Sequence, residues 1–87
     1  MERTAWQNLF KKRFLVDADS IYAKPGEQAY VLKDKQIMVI VRAATPSGSL
    51  RAESVIDTEE CLIVNRGQGN FAFVDWTKID AITTVDL

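Results

Sequence analysis

The stretch Leu50-Arg51-Ala52-Glu53-Ser54-Val55-Ile56-Asp57 decides the fold. Leu50, Ala52, Ser54 and Ile56 fall on one face and Arg51, Glu53, Val55 and Asp57 on the other, the period of two that marks a strand. The same signal recurs downstream. Cys61 to Val64 is apolar, Phe71, Phe73 and Asp75 alternate with Ala72, Val74 and Trp76, and Ile79 to Val85 reads as the last strand. Upstream, Ile37 to Val41 is a β-branched and Met run, which suits a strand covered on both faces. Between these runs lie a Thr45-Pro46-Ser47-Gly48-Ser49 loop, a short polar Thr58-Glu59-Glu60 bend, a hairpin loop over Asn65-Arg66-Gly67-Gln68-Gly69-Asn70, and one tight turn at Trp76-Thr77-Lys78.

Ahead of the β region, residues 2–14 predict a short amphipathic helix. Trp6, Leu9, Phe10 and Phe14 fall at i, i+3, i+4 and i+8, and Lys11, Lys12 and Arg13 sit near the C-terminal end, where cations complement the helix dipole. Residues 15–35 read as an irregular extension. Asp17-Ala18-Asp19-Ser20 is a turn, Pro25-Gly26 breaks the chain, and Tyr30-Val31-Leu32 is a candidate short strand. Asp17 and Asp19 begin a calcium-loop pattern but lack the third acid, the glycine and the closing glutamate.

The expected fold is therefore mainly β: one domain over residues 1–87, with five short antiparallel strands forming a small barrel or highly bent sheet over 36–87 and a helix in front. Eighty-seven residues give a thin core. A five-stranded barrel of this size is partly open and leaves edges near Phe71–Asp75 and Ala81–Val85, with neither Pro nor Lys at their centres. Self-association through those strands is the expected remedy.

Composition excludes much chemistry. The absence of histidine removes Ser-His-Asp and Cys-His catalysis and the common zinc sites. One cysteine, Cys61, excludes an internal disulfide and suits a reducing compartment. No apolar run approaches a membrane span, and the N-terminal stretch lacks the form of a signal peptide, so a cytoplasmic protein without a membrane partner is expected. No nucleophile stands with a base, and no cofactor motif occurs; an enzyme is not expected. Net charge is −1, but residues 1–35 carry seven basic against five acidic side chains and residues 36–87 four against seven, +2 and −3.

The order of helix, five strands and a tight turn before the last strand resembles the Sm-like family, in particular its bacterial Hfq branch and small phage-borne members. Leu50 to Asp57 is similar to that family's second strand, which ends in an aspartate, and Thr58 to Asn65 to its third. Lys78-Ile79-Asp80-Ala81-Ile82-Thr83-Thr84-Val85 resembles the closing Ala-Ile-Ser-Thr-Val type strand. The resemblance covers 2–14 and 36–87. It departs at the expected asparagine after the aspartate, where Glu60 and Cys61 stand, at the Arg-Gly of the last turn, where Trp76, Thr77 and Lys78 stand, and at the absent Lys-His pair.

What the resemblance implies is a homo-oligomeric ring of five to seven subunits, joined through the strands near Phe71–Asp75 and Ala81–Val85. It would bind RNA or single-stranded DNA at its inner rim. By position, Asp57, Thr58, Trp76, Thr77 and Lys78 are the rim contacts, with Arg66, Lys11, Lys12 and Arg13 on the faces. An aromatic ring beside a lysine stacks a base while the ammonium meets a phosphate; alternatively Trp76 covers the open end of the barrel or fills a subunit interface. Arg66 lies in a loop already explained as a hairpin turn. A protein-interaction module of phage assembly or adaptor type, on an SH3-like barrel, is the alternative function.

Overall fold

The computed structural model describes residues 1–41 and 48–87. The loop expected at Thr45-Pro46-Ser47 lies outside the described residues. Helix α1 (Arg3–Arg13) is followed by β1 (Leu15–Val16), β2 (Gln28–Val31), β3 (Lys35–Val41), β4 (Ser49–Ala52), β5 (Ser54–Asp57), β6 (Leu62–Gly67), β7 (Asn70–Val74), a 3-10 turn (Trp76–Lys78) and β8 (Ile79–Asp86). They form two antiparallel sheets, ordered β1-β2-β5-β6-β7 and β4-β3-β8. A mainly β chain with an N-terminal helix is thus what the alternating residues produce.

Eight strands, rather than five, make up the described residues, for two physical reasons. Leu50 to Asp57 is one run in sequence but two strands in space. Leu50 pairs with Val39 of β3, whereas Val55 and Ile56 pair with Tyr30 and Ala29 of β2 and with Val64 and Ile63 of β6. The break falls at Glu53, whose amide donates to the Asn65 carbonyl at 2.8 Å. Alternating burial holds before the break, at Leu50, Arg51 and Ala52, and stops after it, where Ser54 to Asp57 are all buried because β5 is covered on both faces. The second reason is that residues 15–35 are not wholly irregular. Leu15 and Val16 pair with Val31 and Tyr30, and β2 adds itself to β5. The Pro25-Gly26 break makes its turn, with the Glu27 amide bonded to the Lys24 carbonyl and Gly26 at a φ of 87°.

The core lies between the sheets, and α1 lies against it. Ile37, Val39 and Val41 of β3 point inward, while Met38 and Ile40 on the opposite face are half-buried, so the covering expected on both faces of this strand is complete on one. Trp6 and Phe10 of α1 are buried, Leu9 and Phe14 partly so, as their helical spacing requires. Phe10 is fully buried beside Phe14, Tyr30 and Trp76, with ring centroids 5.2, 5.4 and 6.5 Å away. Burying such a ring contributes about 1.5–3 kcal/mol. Strand β7 ends one sheet and β8 ends the other. Among the described residues no helix is long and apolar enough to cross a membrane.

Candidate nucleic-acid interface

The positions named from sequence separate into buried and exposed groups. Asp57, at the end of β5, is buried and accepts from Arg3 Nε at 3.0 Å and from Gln7 Nε2 at 2.7 Å, so it fastens the first turns of α1 to the sheet. Its charge, together with burial as the larger cause, holds the Tyr30 phenol above its usual value. Thr58, the next residue, is buried. Its Oγ1 donates to the Cys61 carbonyl at 2.7 Å and accepts from the Cys61 amide at 3.1 Å, which closes the expected bend. Cys61 itself is half-buried.

Trp76 reaches the same place from the other direction. Its indole N–H donates to the Thr58 carbonyl at 3.1 Å, and the ring is 6% exposed. A ring enclosed to that degree has no open face for a base, so Trp76 acts as the plug at this end of the core. Asp57, Thr58 and Trp76 are therefore brought together by internal contacts that occupy their polar groups. Thr77 and Lys78 stay exposed. The Thr77 amide and hydroxyl both donate to Asp75 Oδ1, at 2.9 and 2.8 Å, and these bonds, with a smaller contribution from the Lys78 charge, hold the Asp75 carboxyl below the usual range.

The remaining positions are cations on the surface. Lys11, Lys12 and Arg13 occupy the last turn of α1 and are exposed. Arg66 is exposed near the far end of β6, at the other end of that strand from Leu62, which opposes Asp57. It shares a concavity of about 530 Å3 with Arg51, Asn70 and Phe71. Among the described residues, none of Lys11, Lys12, Arg13, Arg51 and Arg66 makes an ion pair.

Sequence reasoning passed over Phe73, Phe71, Tyr22 and Arg51. Phe73 is 71% exposed and Tyr22 42% exposed. The signal was present: alternation placed Phe71 and Phe73 on the same face as Asp75, a residue that belongs in water, and Val74 and Trp76 on the other. In comparisons with known proteins, no family model, curated protein or solved structure matches the chain.

Proposed function

We propose that this chain is a small SH3-like or Sm-like barrel protein that assembles as a homo-oligomeric ring and binds RNA or other single-stranded nucleic acid. The observation that carries the binding is the set of exposed cations, Lys11, Lys12, Arg13 and Arg66, without ion-pair partners among the described residues. Such groups are available to replace the counterions of a phosphate chain. The ring is supported by the position of β7 and β8 as the last strands of their sheets, and by the 3-10 turn that leads into β8. Terminal strands readily pair with a second copy.

A second reading, a protein-interaction module of assembly or adaptor type, is favoured by the burial of Asp57, Thr58 and Trp76, which leaves Thr77 and Lys78 as the exposed residues of the rim set. Light scattering with a labelled poly-U strand in low and high salt separates the two. A multimer of five to seven subunits, the number implied by the family resemblance, that binds the strand in low salt is the expected result. A monomer would contradict the ring. A multimer that ignores every oligonucleotide would transfer the assignment to the interaction module.

A further inference from the structure

We propose that the outward face of β7 and the hollow adjoining it are a stacking surface for single-stranded nucleic acid, with Phe71, Phe73 and Tyr22 receiving bases and Arg51 of β4 and Arg66 of β6, which line that hollow beside Phe71, receiving phosphate. The inference rests on the nucleic-acid reading above and gives it a location that the rim residues do not supply.

Strand register fixes which way the rings point. Ile56, Ile63 and Phe73 lie directly across from one another in β5, β6 and β7, and so do Val55, Val64 and Ala72. Directly opposed residues share a face. Val55 and Val64 belong to the core, so Phe73, and Phe71 two residues before it, project from the opposite face. Phe71 is half-buried beside Tyr22, with ring centroids 4.9 Å apart at 71°. They line one hollow with Ile56, which is fully buried, while Phe73 stays open although the smaller Val74 beside it is buried. Half-buried Phe71 and exposed Phe73, two positions apart on one strand face, leave the backbone about 6.8 Å apart. That is twice the ~3.4 Å step of stacked bases in a duplex strand, so each ring takes one base of a splayed single strand.

Charge identifies the occupant. Phe71 lines both the aromatic hollow, with Tyr22, Lys24 and Phe73, and the concavity that holds Arg51, Arg66 and Asn70. The described lining of the two hollows therefore carries three cations against one acid, Glu27, on a chain whose net charge is −1, and Asp75, next along the Phe71–Phe73 face, is bonded to the Thr77 amide and hydroxyl. Glu27 Oε1 accepts from the Lys24 amide at 3.1 Å and so serves its own turn. A second copy laid face to face would set guanidinium against guanidinium. A strand of bases and phosphates instead answers both the rings and the cations. Pairing of β7 with a neighbouring subunit uses backbone groups in the sheet plane, perpendicular to these side chains, so a ring leaves the surface open.

Fluorescence anisotropy with labelled 12-mers of U and dT in low salt tests this. Phe73→Ala is expected to weaken binding roughly 10-fold or more, as loss of a stacked base does. The Arg51→Gln/Arg66→Gln double variant should lower the slope of log affinity against log salt by about 1.4, two single-strand phosphate contacts. If Phe73→Ala loses its native circular dichroism, the arginine pair still decides. Wild-type affinity in both variants, with binding lost when Lys11, Lys12 and Arg13 become Gln, would overturn this surface and leave nucleic-acid binding intact. No binding by the wild-type chain would overturn both. A fall in solution mass for Phe73→Ala, without oligonucleotide binding, would make the face a contact between copies and overturn the proposal.

Discussion

Trp76 donates its indole N–H to the Thr58 carbonyl at 3.1 Å, whereas the buried indole nitrogen of Trp6 has no hydrogen-bond partner among the described residues. Both tryptophans pack near Phe10, with ring centroids 6.5 Å (Trp76) and 6.4 Å (Trp6) from it, and their polar groups differ in role. One joins the 3-10 turn before β8 to the bend after β5; the other contributes apolar area alone.

Replacement by phenylalanine should therefore separate them. Trp76→Phe leaves a carbonyl unpaired in a buried site and is expected to cost about 1–3 kcal/mol beyond the loss of ring area. Trp6→Phe removes a donor that already lacks a partner, so the same volume change should cost distinctly less. Urea unfolding of both variants checks the difference; equal midpoints would contradict it.

Asp57 fastens α1 through Arg3 and Gln7. Asp57→Ala should destabilise the chain by about 1–3 kcal/mol, below the 3–5 kcal/mol of a fully buried broken pair because Arg3 is about a third exposed. Oligonucleotide affinity per folded molecule should stay unchanged. Lower affinity at unchanged stability would instead return Asp57 to the binding surface.

Two exposed carboxyls and one phenol are held away from their ordinary values. Asp75, bonded by Thr77, and Asp86, bonded by Lys35, have pKa values below 3.8 in the folded chain. Their contribution is present above that value and is lost as pH falls through the lower folded values. Tyr30 is raised above 10.0, so its contribution is complete below pH 10 and fades as pH rises through the folded value. Unfolding midpoints measured from neutral pH upward should drop beyond pH 10 in the wild type and drop less in Tyr30→Phe.

Gly67 and Gly26 both have positive φ, 90° and 87°, but a Cβ at Gly67 would meet Glu53 Oε1 at 2.6 Å while one at Gly26 meets nothing within 4 Å. Glu53 is exposed and its carboxylate is the far end of a flexible side chain that can turn aside, so Gly67→Ala and Gly26→Ala should each cost the ~1–2 kcal/mol of left-handed backbone. Thermal midpoints of the two variants check this; a much larger fall for Gly67→Ala would show that Glu53 is held in place.

How far the fold was legible follows from the range of each cause. The helix and the strands at Ile37, Leu50, Cys61, Phe71 and Ile79 depend on local periodicity and were readable. The division of Leu50–Asp57 depends on β2, which arrives from a segment with no alternation of its own, and on the Glu53–Asn65 contact; neither is local. The site was less legible. Trp76 beside Lys78 looks like a stacking pair in sequence, and only the packing of Phe10 and the Thr58 carbonyl shows it enclosed. The outward placement of Phe71 and Phe73, by contrast, follows from their alternation with Val74 and Trp76.

The proposed activity of this chain is binding of single-stranded nucleic acid through discrete exposed cations. The most direct measurement is the affinity of the wild-type chain for a labelled U 12-mer across a salt series. The expected result is binding in low salt whose logarithm falls linearly with the logarithm of salt, by about 0.7 for each phosphate contacted. Absence of binding in low salt, or an affinity indifferent to salt, would contradict it.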